Sequence, residues 1–380
     1  MEIGLIVFEI SKIGGIATVH KRVKTGLINN GHNVTDYFVT LNKSKLPEKT
    51  PIDTDKTLGF MSDELLNEAK AELKEKDLLI FSHPCPTKNK AFDSTRWMDF
   101  YKLGTKNISI AHEPFIEQYY PWFLDVKEYV HGIACVQQKA YDPMIKHFDN
   151  VIITNHFLDL SDMGDYRDLK EDLVICPHQF KTWKHVDKFI RAIPMINHKV
   201  EVFNGGIEYH YMSGSIEKRK DKYRDGNGWI WENAINAGMN YRGIVSDEEI
   251  KKAFQRAKCS IDLSVGELGT KMFTDFNQMT LFGEKAKTYK SVNYVPLESM
   301  KYGTIPIVRQ HSLVDGLLTK ENCIVLPESN LIENTAKTIN QVIEKFDQYL
   351  DVYGVMINNN FELLKKEYDA NKNVRKIIDM

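Results

Sequence analysis

Apolar positions along the chain fall into two series of the same kind. Residues 3–8 form a nearly continuous apolar run, the pattern of a central parallel strand covered on both faces. Gly14 and Gly15 then make a tight loop. Ile16, Val19, Val23 and Leu27 recur at helical spacing until Asn29-Asn30-Gly31, a helix stop. A strand over 34–39 follows, which predicts one right-handed βαβ unit. The alternation continues with a helix over 62–75, a strand over 77–81, a helix over 95–103, and strands over 107–111, 130–135 and 151–153.

A second series opens with a strand over 173–176, a helix over 185–196 and a strand over 200–203. A long polar stretch over 205–228 precedes a short strand over 239–244. Ser246, with Glu249 three residues on, forms a capping box at the head of the next helix. A strand over 259–265, a helix ending at Gly303, a strand over 305–308 and a helical tail from about 332 complete the pattern. The polar segment 161–172 is the expected boundary between the series. The expected organisation is an α/β chain of two Rossmann-like domains, 1–165 and 166–345, with C-terminal helices over 346–380 returning to the first domain. Sheets of this kind bind ligands at the carboxyl ends of their strands, which favours a nucleotide or nucleotide-sugar enzyme over a structural protein.

Composition narrows the partners. The chain has 380 residues, and 52 acids against 50 bases leave a net charge of −2, so no global basic field draws it to nucleic acid or an anionic membrane. Any such binding needs a local patch. The five cysteines are far apart and in no metal-type spacing, which fits a reducing cytoplasm without a disulfide framework or zinc site. No window approaches the roughly 20 apolar residues of a membrane span, and the acidic N-terminus does not read as a signal peptide.

Four segments could carry chemistry, and each also has an ordinary structural reading. The Gly14-Gly15 loop opens a helix whose free N–H groups suit an anion, or it is simply a tight turn. His112-Glu113, at the end of a predicted strand, suits acid–base work or a sugar hydroxyl, or is a surface loop. Lys181, Lys184 and His185 crowd the start of a helix, where cations oppose the dipole unless a bound pyrophosphate compensates; the alternative is a solvated basic face. Glu298 precedes a strand and could accept two hydroxyls of a ribose, or lie on an ordinary helix surface.

Taken in order, the segments GGIATV with NGHNVT, His112, KTWKHVDKFI, YRGIVSDEEIKKAFQRA and LESMKYGTIPIV make the chain resemble a retaining GT-B glycosyltransferase over nearly its whole length. It is similar, more narrowly, to the DNA α-glucosyltransferase of T-even phages and related phage DNA glycosyltransferases, including arabinosyltransferases. Lys290 stands where most GT-B enzymes of this kind have a second Glu, a departure the phage enzymes share. Gln179 and Lys181 stand near the place of an expected phosphate-binding Arg, and Asn293 at that of an acid. Those changes suit a different donor sugar, such as a pentose.

The resemblance implies two domains facing across a cleft and transfer of glucose or arabinose from a UDP-sugar to 5-hydroxymethylcytosine in phage double-stranded DNA, protecting it from host nucleases. It implies His112, Glu113 and Lys184 as catalytic, and Gly14, Gly15, Lys181, Lys184, Tyr241, Lys290 and Glu298 as donor-binding. No cofactor beyond the UDP-sugar is required, because lysines and helix N-termini can stabilise the leaving diphosphate without a divalent metal. The expected state is a cytoplasmic monomer without membrane contact. Candidate DNA contacts are Lys21, Arg22 and Lys24, Lys43 and Lys45, Lys88 and Lys90, and residues 218–224. Competing readings are a bacterial GT-B enzyme of envelope polysaccharide or glycolipid synthesis, a nucleotide-sugar epimerase, and a non-catalytic DNA- or sugar-binding protein on a transferase scaffold.

Overall fold

The structure, a computed structural model, describes residues 1–8, 15–40, 54–84, 94–112, 121–178, 184–203, 224–225, 228–264, 292–314, 316–348 and 350–380. The chain divides into two compact units, Met1–Leu160 with Lys366–Met380, and Ser161–Lys365.

The first unit runs β1 (Glu2–Phe8), α1 (Gly15–Asn29), β2 (Asn33–Thr40), β3 (Lys56–Gly59), α2 (Asp63–Lys74), β4 (Leu78–Phe81), α3 (Ser94–Met98), β5 (Lys106–Ala111), β6 (Gly132–Cys135), α4 (Gln138–Met144) and β7 (Val151–Ile153). The strands form one sheet in the order β3-β2-β1-β4-β5-β6-β7, and every pair is parallel. β1 is central, which is why its side chains are buried from Ile3 to Phe8. The edge strand β3 has too little apolar pattern to be foreseen. The helix expected over 95–103 is two pieces, α3 and a 3-10 turn at Tyr101–Leu103 that Gly104 ends at φ +82°. Trp97, Phe60, Phe100, Phe81, Tyr101 and Phe123 fill the core on one face of this sheet.

The second unit runs β8 (Glu171–Pro177), α5 (Val186–Ala192), β9 (Lys199–Phe203), the two-residue strands β10 (Arg224–Asp225) and β11 (Gly228–Trp229), α6 (Ile230–Asn236), β12 (Met239–Gly243), α7 (Asp247–Arg256), β13 (Ala257–Asp262), α8 (Tyr294–Lys301), β14 (Ile305–Arg309), β15 (Ile324–Leu326), α9 (Leu331–Lys345) and α10 (Leu350–Leu363). Its main sheet has the order β12-β9-β8-β13-β14-β15, again parallel throughout. Renumbered along the unit, that is the 3-2-1-4-5-6 order of the doubly wound nucleotide-binding fold, with its switch point between β8 and β13. The helix expected over 185–196 stops at Ala192 and ends as a 3-10 turn, because Pro194 has no N–H for an α-helical bond. The Ser246–Glu249 capping box forms on α7, with both reciprocal bonds made.

Residues 346–365 belong to the second unit, where Phe346, Tyr353, Met356 and Ile357 join its core. Only the last helix, α11 (Ala370–Ile378), joins the first unit. The Leu158 N–H donates to the Tyr368 carbonyl at 2.8 Å, the Leu158 carbonyl accepts from the Ala370 N–H at 2.9 Å, and α11 packs on α1 over Gly26. A Cβ at Gly26 would stand 3.0 Å from the Ala370 carbonyl and from Val374, so the helices approach as closely as a glycine allows. Among the described residues no helix is long and apolar enough to cross a membrane.

Candidate functional site

At the switch point of the second sheet, β8 leads into His178, and β13 ends on Asp262 and leads into Ser264. Asp262, 1% exposed, accepts hydrogen bonds from the Ser264 amide and from Asn293 Nδ2, each at 2.9 Å, and His178 Nε2 lies 3.2 Å from its Oδ1. Burial opposes its ionisation, but the His178 ring and the Lys184 charge overcome that and hold the carboxyl far below the usual range. Asn293 directly precedes α8, so its bond to Asp262 brings the head of that helix to the sheet edge. Ser264 is buried, and its hydroxyl has no hydrogen-bond partner among the described residues.

Next to this cluster, His185 heads α5 with φ +48°, a left-handed backbone that a side chain rarely adopts. Its Nδ1 lies 3.0 Å from Arg309 Nη1, and Arg309, at the end of β14, is clamped by the Glu328 carboxylate through Nε and Nη2. A guanidinium only donates, so His185 Nδ1 accepts. The carboxyl edge of this sheet therefore gathers two cations, a buried acid, an exposed one and a buried hydroxyl, with the Lys184 charge felt by buried Asp262. Such an arrangement suits a polar, anionic ligand.

At the corresponding edge of the first sheet, β4 leads into Ser82-His83 and β5 into His112. The His112 and His83 rings stack with centroids 5.9 Å apart and planes 11° apart. His112 Nε2 lies 2.9 Å from the Ser82 carbonyl oxygen. Burial pushes the His112 pKa down to about 4, helped by the Lys139 charge and opposed by the Ser82 carbonyl. His112 is therefore neutral at pH 7. Behind it lies a buried polar chain: Ser82 Oγ to His20 Nδ1 at 2.7 Å, and His20 Nε2 to Asp36 Oδ2 at 3.4 Å. Asp36 also receives Lys24 Nζ at 2.7 Å and the Asp55 amide at 2.8 Å.

The sequence-predicted residues are distributed over these two edges. Gly15 is the first residue of α1 and His112 closes β5, two strands from β1. Lys184 acts on Asp262 from the head of α5, and Glu298 lies half-buried in α8, five residues after Asn293. Tyr241 is on the edge strand β12, packed on the hydrophobic core and three strands from β13. Gly14, Glu113, Lys181 and Lys290 lie outside the described residues. Of the expected DNA contacts, Arg22 donates to the Phe157 carbonyl at 3.1 Å, and Lys24 pairs with Asp36 and Asp55. Both are engaged within the protein; Lys21 is exposed. Lys43, Lys45, Lys88, Lys90 and residues 218–223 lie outside the described residues, as does the side chain of Arg224. Sequence reasoning passed over His20, Ser82, His83, His178, Asp262 and Ser264. The available signal was a charge or hydroxyl closing an apolar strand, as in CSIDLS, and a second strand ending in His, FSHP beside AHEP. Among the described residues no group of three or more His, Cys, Asp or Glu side chains could hold a metal ion, and Cys135, Cys176, Cys259 and Cys323 are buried free thiols.

No protein-family model and no curated protein matches the chain. Solved structures do match in fold. An α-glucosyltransferase in complex with UDP-glucose and DNA containing an abasic site is 12% identical with a TM-score of 0.67, over 100% of this chain and 98% of that one. Anabaena HepE in complex with UDP-glucose is 11% identical with a TM-score of 0.66, over 100% and 99%. A glycosyltransferase from Rickettsia africae is 12% identical with a TM-score of 0.63, over 100% and 97%. The fold of this chain is the GT-B fold of these glycosyltransferases.

Proposed function

We propose that the chain is a retaining glycosyltransferase that moves a sugar, glucose or arabinose, from a UDP-sugar to 5-hydroxymethylcytosine in double-stranded DNA. The observation that carries the donor half is the polar cluster at the switch point of the second sheet, where buried Asp262 is stabilised as an anion by His178 and by the Lys184 charge. UDP, UDP-glucose and DNA are bound by the structural neighbours, and their fold spans this whole chain. The acceptor half rests on the ordered sequence motifs shared with phage DNA glycosyltransferases.

In the reaction, the bond between C1 of the sugar and the β-phosphate oxygen breaks through an oxocarbenium-like state. The acceptor hydroxyl oxygen forms the new bond to C1 on the same face, and its proton passes to the departing phosphate. Lys184, Lys181 and Lys290, with the Gly14-Gly15 loop, neutralise the diphosphate, a role that preorganised cations fill at no reorganisation cost in the transition state. Glu298 accepts ribose hydroxyls, and Tyr241 belongs to the donor-binding set. His112 and Glu113 orient the sugar and the acceptor. Neutral His112 cannot be the proton source at pH 7. Reaching a base in a duplex costs a few kcal/mol of unstacking, which phosphate contacts offset.

A second reading, transfer to an envelope polysaccharide or glycolipid, is favoured by the internal engagement of Arg22 and Lys24, which takes two of the expected DNA contacts out of use. One assay separates them. The protein is incubated with UDP-glucose or UDP-arabinose and duplexes carrying cytosine, 5-hydroxymethylcytosine or its glucosylated form, and the nucleosides are weighed. A mass gain on the hydroxymethyl duplex alone supports the DNA reading. UDP release without any DNA product overturns it.

A further inference from the structure

We infer that His20, held by Asp36 and acting through Ser82, is a positioning residue that presents His112 to the ligand as a hydrogen-bond acceptor for a hydroxyl group. The ligand's identity as a sugar or acceptor alcohol rests on the transferase reading; the orientation of the ring does not.

Donor and acceptor roles along the chain are forced one after another. A carboxylate only accepts, so the His20 nitrogen facing Asp36, Nε2, carries the hydrogen. A neutral imidazole has one N–H, so His20 Nδ1 is bare and the Ser82 hydroxyl, 2.7 Å away, donates to it. A carbonyl oxygen also only accepts, so the His112 nitrogen facing the Ser82 carbonyl, Nε2, carries its hydrogen. His112 Nδ1 is then a lone-pair acceptor. Burial keeps both rings neutral near pH 7.

Ser82 is well placed to transmit this. The β4 ladder ends at Phe81, so among the described residues the Ser82 carbonyl has no strand partner and its direction follows the backbone of Ser82. That backbone is anchored by its N–H to the Ile6 carbonyl at 2.9 Å and by its hydroxyl to His20. Two residues on, Trp97 and Tyr101 both donate to the Pro84 carbonyl and hold the far end of the bend. The constellation contains a serine, a histidine and an aspartate, but it is not a nucleophilic triad. Ser82 and His20 are 0% exposed and Asp36 1%, so the hydroxyl is spent inward and no substrate reaches it. What the relay leaves for a ligand is the acceptor nitrogen of His112, which selects an O–H and disfavours a carbonyl.

The test uses the full chain with ¹⁵N-labelled histidine, and two-bond ¹H–¹⁵N spectra at neutral pH, assigned with His112→Gln. The wild type should show His112 protonated on Nε2 and bare on Nδ1. Ser82→Ala should give mixed His112 tautomers and lower kcat about tenfold, the scale of a mispositioned group, with UDP affinity unchanged. Ser82→Thr, which keeps the hydroxyl, should restore both, and His20→Gln is the second perturbation if Ser82→Ala does not fold. A wild-type His112 protonated on Nδ1, or a tautomer and kcat unmoved in both Ser82→Ala and His20→Gln, overturns the inference. A chain with the expected tautomers and their shift, but no sugar transfer, supports the relay while refuting the transferase reading.

Discussion

Asp262→Asn removes one charge from the switch point of the second sheet and almost no volume. The carboxylate is 1% exposed and receives the Ser264 amide and the Asn293 side chain at 2.9 Å, with His178 at 3.2 Å. The replacement amide keeps one oxygen. Turned toward the Ser264 N–H, it sets its own NH₂ against that of Asn293; turned the other way, it opposes the Ser264 N–H. The first buries a donor facing a donor unless the Asn293 amide turns its Oδ1 inward, and the second does so in every case, at roughly 1–3 kcal/mol. Losing one partner of a buried charged pair costs about 3–5 kcal/mol, and since the two penalties overlap, that range is the expected total. It would lower the folding equilibrium constant of the second unit by roughly two to four decades. Hydrogen exchange of peptides covering β13, with urea unfolding in parallel, reads the change unit by unit. The pH dependence carries a sign. The folded carboxyl is held below its unfolded value of about 3.9, so the contribution is full above that pH and lost as the pH falls through and below it. The gap between wild type and variant should therefore close in acid. A destabilisation under about 1 kcal/mol at pH 7, typical of an exposed pair, would refute the buried-anchor account.

Three further outcomes follow from the same geometry. His112 titrates near pH 4, so any activity that needs its neutral form should be flat from pH 8 to 6 and fall only near 4; a limb at the ordinary histidine pKa of about 6.5 contradicts the buried ring. Because the same depression makes the unfolded chain bind more protons between those values, His112 also makes the first unit less stable as the pH falls from about 6.5 toward 4, measurable by thermal unfolding. Gly26→Val should loosen α11 from α1 at a cost of about 1–3 kcal/mol, seen as faster exchange or proteolysis over 370–378; unchanged protection there would mean the helices do not meet at Gly26.

Much of the architecture was legible because buried parallel strands leave long apolar runs and helices leave capping signals. Residues 3–8 and the Ser246–Glu249 box are read in sequence as they stand in the structure. The edge strand β3, with one side open, has no such run, and the stop at Ala192 needed Pro194 to be weighed above apolar periodicity. Site residues were harder. Lys184, His112 and Glu298 stand out by type and place, but the groups that orient them are polar residues inside apolar elements. His20 sits on the buried face of α1 and Asp36 within β2, and only the pairing of β4 beside β1 brings Ser82 to them. Long-range partners of this kind leave no local signal. Charged residues can also mislead: Arg22 and Lys24 look like a basic face, yet both are engaged within the protein, one by a backbone carbonyl and the other by two carboxylates.

Titration calorimetry of UDP against the full chain and Lys184→Ala tests the central claim most directly. The account predicts saturable one-to-one binding to the wild type and at least about tenfold weaker binding to the variant, the loss of one charge-assisted contact worth roughly 1.5–3 kcal/mol. No binding by the wild type, or equal affinity in the two proteins, would contradict it.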